Sequence, residues 1–370
     1  MPDNAWDDIA PMASGEVMIH IGPPKTGSTA IQTVMAGRRA DLVELGVLYP
    51  GSEPRAKFPS WAVMSEWPRG KREPMMAEWD EMVGEINESG LKAVVSSEAL
   101  IRADSDAVTR IVRSFGAERV HVVAVGRRLD RALPSLYQQK VKKFHAKTYE
   151  EWLGSILVDD DLDALLASFP PGQQLAETVE KWSAHLPPQR IHLICSEEGN
   201  RELLPRSFER LLDLPEGFLE PVAGVNDSLD RTSVEMLRQL NVLKKSSTWT
   251  DEFYRKMIFQ GAAAALSVRE WGPDDTKVPI PPEWALARLR TLADHMITSL
   301  RAHGAHVIGD LDTLRPGKDV VAPASPLGES PTITMDVAVT ALAGVVEAAW
   351  RREQAWRPSE TSDVEGGVGD

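Results

Sequence analysis

Val17-Met-Ile-His-Ile-Gly22-Pro-Pro-Lys-Thr-Gly27-Ser-Thr-Ala-Ile-Gln32 is the stretch from which the fold of this chain is read. A short apolar run, Val17 to Ile21, reads as a buried strand. It enters a tight loop bounded by Gly22 and Gly27, and a helix opens at Ser28 or Thr29. Loop amides and the positive end of the helix dipole, equivalent to roughly half an elementary charge, then converge on one spot. Lys25 stands inside the loop. These residue types in this order suit the binding of a phosphate or a sulfate.

Working outward, other short apolar runs read as buried strands: Ala93–Val95, Val120–Val125 and Ile191–Cys195. Helical stretches separate them. Buried strands alternating with helices predict an α/β fold, a P-loop-like core with a mostly parallel sheet flanked by helices. The spacing of Ile31, Val34, Met35, Leu42 and Leu45 predicts one helix from about Ser28 to Leu45. Residues 50 to 75 hold five prolines and read as loop. From about Asp160 onward the chain reads as mainly helical, with helices marked by Met236, Leu237, Leu240 and Leu243, by residues 279 to 303, and by Val337 to Trp350. The domain reading is a single α/β domain over 1–325, a helical extension over 326–356 and a disordered tail over 357–370, rich in Gly, Ser, Asp and Glu.

Bulk composition limits the function classes. The 370 residues carry a formal net charge of −14, which argues against broad binding to nucleic acid or to an anionic membrane surface. A single cysteine, Cys195, excludes an intrachain disulfide and a Cys-rich zinc site, and its apolar neighbours make it a small core residue. Met1 to Asp8 is acidic with no apolar signal region, and no run approaches 18 apolar residues. The expectation is a cytoplasmic protein with no stable membrane insertion, no nucleic-acid partner and no metal. Oligomeric state is not encoded.

The position of the lysine separates two kinds of phosphate loop. A Walker A loop requires Lys directly after its second glycine. Here Ser28 follows Gly27 and the lysine lies two residues before it. Lys25-Thr-Gly-Ser-Thr29 after a strand resembles the 5′-phosphosulfate loop of sulfotransferases that use 3′-phosphoadenosine 5′-phosphosulfate (PAPS). A second constellation strengthens the resemblance. After the run Val120–Val125 comes Gly126-Arg-Arg-Leu-Asp-Arg-Ala-Leu-Pro-Ser-Leu-Tyr-Gln-Gln-Lys140, a basic segment in an acidic chain. The family's 3′-phosphate motif places a serine eight residues after an arginine, and Arg127 and Ser135 have that spacing, whereas Arg128 does not. Pro134 suits the first turn of a helix, which would set Ser135 near a helix N-terminus. Together the two motifs look like a bacterial branch of the PAPS-dependent sulfotransferase superfamily.

The resemblance implies transfer of the sulfuryl group of PAPS to a hydroxyl or amine, on a carbohydrate by family analogy or on a secondary metabolite. It implies Lys25 at the oxygen that leaves sulfur. Pro24, Lys25, Thr26, Gly27, Ser28 and Thr29 would hold the 5′-phosphate end, and Arg127 and Ser135 the 3′-phosphate, with no metal. The acceptor must lose a proton, so a base is required. Glu98, in Val94-Val-Ser-Ser-Glu98, follows a strand on the same sheet edge and is the first candidate. Its other reading is a complement to the dipole of a helix beginning at Ser97. His20, beside the loop, is the second candidate, or else a core histidine; His145, in the basic segment, is the third. Two further classes stay open: a nucleotide kinase or NTPase with a degenerate P-loop, and a non-catalytic PAPS-binding module.

Overall fold

The structure is a computed structural model and describes residues 8–23, 27–68, 71–196, 199–220, 228–317 and 331–356. Pro24, Lys25 and Thr26, and the tail 357–370, lie outside the described residues. Contacts divide the chain into two compact units. The first draws on residues 1–134, 152–224 and 280–324, the second on 135–151, 225–279 and 325–370.

The first unit holds one sheet of six strands: β1 (Val17–Gly22), β2 (Val47–Leu48), β3 (Lys92–Ser96), β4 (Val120–Gly126), β5 (Ile191–Cys195) and β6 (His306–Ile308). Their order is β2-β3-β1-β4-β5-β6, and all five pairings are parallel. The four apolar runs of the sequence are β1, β3, β4 and β5. They are continuous because both sides of each strand are covered. Val17, Ile19 and Ile21 of β1 share one core with Ala93, Val95, Val122 and Leu193, and the intervening Met18 shares the other with Val94, Val123 and Ile194. Cys195 is wholly buried in β5.

On the first face lie α3 (Lys57–Met64), α4 (Met76–Ser89), α5 (Ser105–Phe115) and the helix Leu175–Ser183, which contributes Trp182. On the second lie α1 (Ser28–Gly37), α2 (Arg39–Glu44) and the helix Leu203–Leu212. Each fully buried Val, Leu or Ile contributes about 1.5–3 kcal/mol. The two apolar layers therefore hold the sheet and the ends of its strands in place.

Several local expectations change. The single helix expected from Ser28 to Leu45 is two, because Arg38 leaves helical geometry (φ −119°, ψ 30°) after the poor helix former Gly37 and donates through Nη1 to the Phe218 carbonyl at 2.9 Å. The Pro-rich stretch 50 to 75 is not all loop. It contains α3, with Pro59 in the first turn, where a missing N–H costs nothing, and Trp61 buried in the core. The segment after β4 forms α6 (Leu129–Lys142), which begins before Pro134 rather than at it. The Arg128 carbonyl accepts from the amides of Arg131 and Ala132, and the Arg128 side chain grips the fully buried Asp130 at 2.7 Å; both pull the helix start forward.

The second unit is helical. Its helix Arg231–Ser246 buries Val234, Leu237, Arg238 and Asn241, while Leu243 of the expected apolar stripe is more than half exposed. Polar groups explain the shift in face. Asn241 Nδ2 donates to the carbonyls of Val141 and His145, both at 2.8 Å, and Tyr254 donates its hydroxyl to Asn241 Oδ1 at 2.8 Å. Arg269 joins Asp230, Asp275 and Asp336 at 2.9, 2.7 and 2.6 Å. The terminal helix runs from Met335 to Trp356. Among the described residues no helix is long and apolar enough to cross a membrane.

Candidate active site

In a parallel sheet, ligands bind outside the carboxyl ends of the strands. Here β3, β1 and β4 are neighbours in that order. Glu98 follows β3, the Gly22–Gly27 loop follows β1, and Arg127 follows β4. Three of the segments singled out in the sequence therefore emerge side by side along one edge.

Gly22 is where the strand and the acid meet. Its φ is +86°, and a Cβ built on it would lie 3.2 Å from Glu98 Cα. A side chain would fail there on conformation and on space alike. Glu98 opens the short 3₁₀ turn Glu98–Arg102, with Ser97 as its N-cap. Gly27, at φ +95°, is the N-cap of α1. It brings no side chain to cap the helix, and the first turn of α1 contains no acidic residue. The Ala30 amide donates to the Gly27 carbonyl at 3.1 Å, and the positive end of the helix dipole stands at this glycine.

Arg55 ties these parts together. Its Nη1 lies 3.3 Å from Glu98 Oε2, and its Nη2 donates to Thr29 Oγ1 at 3.3 Å. Both side chains of the ion pair are partly exposed, 30% for Arg55 and 19% for Glu98, so the pair sits at the surface rather than in the core. The Pro-rich stretch gave no sign of Arg55's role. Its neighbours Pro54 and Ala56 read as loop, and only the return of residues 50–56 across the end of β3 brings it to Glu98.

Beneath the pair lies a buried polar chain. Tyr49 donates its hydroxyl to the Pro54 carbonyl at 2.6 Å. Ser96 Oγ accepts from Gln32 Nε2 at 2.9 Å and lies 2.7 Å from His20 Nδ1. Burial pushes the Tyr49 phenol up to about 12 and the His20 imidazole down to about 4, so both stay neutral at pH 7. His20 is 1% exposed, with Phe208 set edge-on to its ring at 5.2 Å. That placement is a core histidine bound to Ser96.

The remaining candidates are placed as follows. Ser28 is buried at the start of α1, and Thr29 is exposed. Pro24, Lys25 and Thr26 lie outside the described residues. Arg127 is half-buried at the end of β4. Arg128 is committed to Asp130 through Nε at 3.1 Å and Nη2 at 2.7 Å. Ser135 is half-buried in α6 and belongs to the second unit; with the helix starting at Leu129, it lies beyond the first turn rather than at the N-terminus. His145 is also in the second unit, its carbonyl taken by Asn241. Among the described residues no group of three or more His, Cys, Asp or Glu is placed to hold a metal ion.

No protein-family model matches this chain. No curated protein does either. Among solved structures, the chain is similar to a sulfotransferase from Alicyclobacillus acidocaldarius, at 11% identity and a TM-score of 0.39 over 61% of this chain and 92% of that one. A likeness of that size assigns no role to any residue.

Proposed function

We propose that this chain is a sulfotransferase that moves the sulfuryl group of PAPS to a hydroxyl or amine of a carbohydrate or a secondary metabolite. The observation that carries the reading is Glu98 packed against Gly22, with its carboxylate joined through Arg55 to Thr29 at the opening of α1. A candidate base and a candidate anion cradle thereby share one mouth. The residues suit an anionic donor, since α1 starts at a glycine that cannot cap it, with hydroxyls at Ser28 and Thr29.

In this reading Glu98 accepts the proton of the acceptor as its oxygen or nitrogen bonds to sulfur. Lys25, by its place in the loop sequence, meets the charge left on the bridging oxygen as the sulfur–oxygen bond breaks and 3′,5′-ADP is released. Thr26, Gly27, Ser28 and Thr29 hold the 5′-phosphate, and Arg127 the 3′-phosphate. As in loose phosphoryl transfer, positioning and charge stabilisation do most of the work.

Titration calorimetry with PAPS, 3′,5′-ADP and ATP in the absence of Mg²⁺ tests the donor. PAPS and 3′,5′-ADP are expected to bind and ATP to bind far more weakly; a preference for ATP with Mg²⁺ would instead make the chain a nucleotide kinase. Incubation of labelled PAPS with a host extract, with and without the protein, then tests transfer and marks the acceptor. Tight PAPS binding with no labelled product in any extract would reduce the chain to a binding module.

A further inference from the structure

We propose that Arg55 is a positioning residue that fixes the Glu98 carboxylate relative to the N-terminus of α1; the inference rests on the sulfotransferase reading above. The guanidinium is a planar fork, and its two Nη atoms are divided between two elements. One faces Glu98 Oε2 and the other Thr29 Oγ1, each at 3.3 Å. The acid follows β3 and the hydroxyl opens α1, so the fork spans the mouth of the loop from one side to the other.

The backbone that carries Arg55 is pinned on both sides. The Pro54 carbonyl accepts from the Tyr49 hydroxyl at 2.6 Å, and the Ala56 amide donates to the Ser96 carbonyl at 3.1 Å. One residue further back, the Glu53 carbonyl accepts from Arg39 Nη2 at 2.6 Å, and the same guanidinium lies over the Tyr49 ring at 5.3 Å. Tyr49 is 4% exposed, so this support is itself buried. A side chain rooted in main chain held at residues 53, 54 and 56 reaches its partners with little freedom left to lose. A lone packing role for the loop would not need the fork to end on these two polar groups.

Lysine cannot reproduce the arrangement, because an ammonium is a point charge without a planar fork. The expected phenotype is a loss of turnover with donor affinity kept. Arg55→Ala should lower kcat by about 10- to 100-fold at saturating acceptor, the scale of a misplaced reacting group. Affinity for 3′,5′-ADP should stay within about threefold, as for an interaction that acts on the transition state alone. Arg55→Lys should recover only part of the loss. In a Glu98→Gln background Arg55→Ala should cost nothing further, because the group it positions is gone.

The experiment measures kcat, 3′,5′-ADP affinity and melting temperature for Arg55→Ala and Arg55→Lys in both backgrounds. An unchanged kcat in Arg55→Ala overturns the inference. So does an equal fall in both backgrounds, or a fall in kcat that tracks lost affinity and lost melting temperature, which would assign Arg55 to loop packing. If the unaltered protein binds no 3′,5′-ADP and transfers nothing from PAPS, the sulfotransferase reading fails and this inference with it. If the unaltered protein does both and Arg55→Ala is silent, only this inference fails.

Discussion

The two ends of the sheet are chemically unlike. At the amino edge three histidines line up across β4, β5 and β6. His121 Nδ1 lies 2.9 Å from His192 Nε2, and His192 Nδ1 lies 3.0 Å from His306 Nδ1. The row ends on Glu16, 3.1 Å from His121 Nε2, with Arg190 joined to both at 2.8 and 3.0 Å. Both ring nitrogens of His121 and of His192 have partners, so this network closes on itself. Among the described residues the carboxyl edge instead turns groups toward solvent: a helix start with no side-chain cap, an exposed threonine and a partly exposed Arg–Glu pair. Satisfied polar groups make structure; polar groups with capacity left over make a site.

That comparison is broken most directly at Glu98. Glu98→Gln keeps size and hydrogen bonding while removing the basic carboxylate, and should lower kcat by about 10²–10⁴-fold with PAPS affinity nearly unchanged. If Glu98 only complements the dipole of its short turn, the change would cost about 1 kcal/mol or less of stability and spare turnover. Measuring kcat with saturating acceptor beside a thermal melt decides between them, and a normal kcat removes the carboxyl edge's claim to a base. Next in size is Lys25→Ala, expected to lower kcat by about 10²–10³-fold while sparing 3′,5′-ADP affinity, since the charge it meets builds only in the transition state. Survival of kcat within a few-fold would show that the loop binds without catalysing.

A smaller effect sharpens the third segment of that edge. Arg127→Ala should weaken PAPS and 3′,5′-ADP by about 1.5–3 kcal/mol, the range of a charge-assisted hydrogen bond, and leave 5′-AMP almost untouched. PAPS and 3′,5′-ADP carry the 3′-phosphate and 5′-AMP lacks it, so calorimetry on all three isolates its contribution. Equal losses would move Arg127 into a folding role.

Much of this was legible in the sequence, for a physical reason that also marks its limit. β1, β3, β4 and β5 are covered on both faces, and continuous burial writes a continuous apolar run. β2 and β6, two and three residues long, are too short to write one. Proline misled twice: Pro59 read as loop where α3 forms, and Pro134 read as a first turn where α6 was already under way. The loop glycines and Glu98 were readable because local chemistry and strand order place them. Arg55 was not, because its partners are brought to it by the sheet and by the buried Tyr49–Pro54 contact, which leave no pattern in the neighbouring residues.

The amino edge makes the last and smallest prediction, on stability rather than turnover. Burial pushes the His192 imidazole down to about 3, helped by the neighbouring His121, His306 and Arg190. Burial also lowers His121 against the pull of Glu16, and lowers His306 against that of Asp8. A histidine kept neutral in the fold has an ordinary value near 6.5 in the unfolded chain, so below that pH the unfolded state binds protons the fold refuses. Stability must then fall as pH drops from about 6.5 towards 3, with His192 alone contributing about 1–2 kcal/mol by pH 5. Glu16 acts in the same direction further down. Burial would raise its carboxyl, but the Ala13 amide, His121 and Arg190 together hold it below 4.5, so its stabilisation is lost as pH falls below that value. Urea unfolding at pH 7.5, 6.5, 5.5 and 5.0 should show a midpoint that is level at the top of the range and falls below pH 6.5. His306→Gln, at the half-buried end of the row, should flatten part of that slope while leaving kcat at pH 7.5 within about twofold, as for a site remote from the reacting atoms. A level midpoint down to pH 5 would mean the histidine row carries protons in the fold, and a large loss of kcat in His306→Gln would mean the two edges are not separate in function.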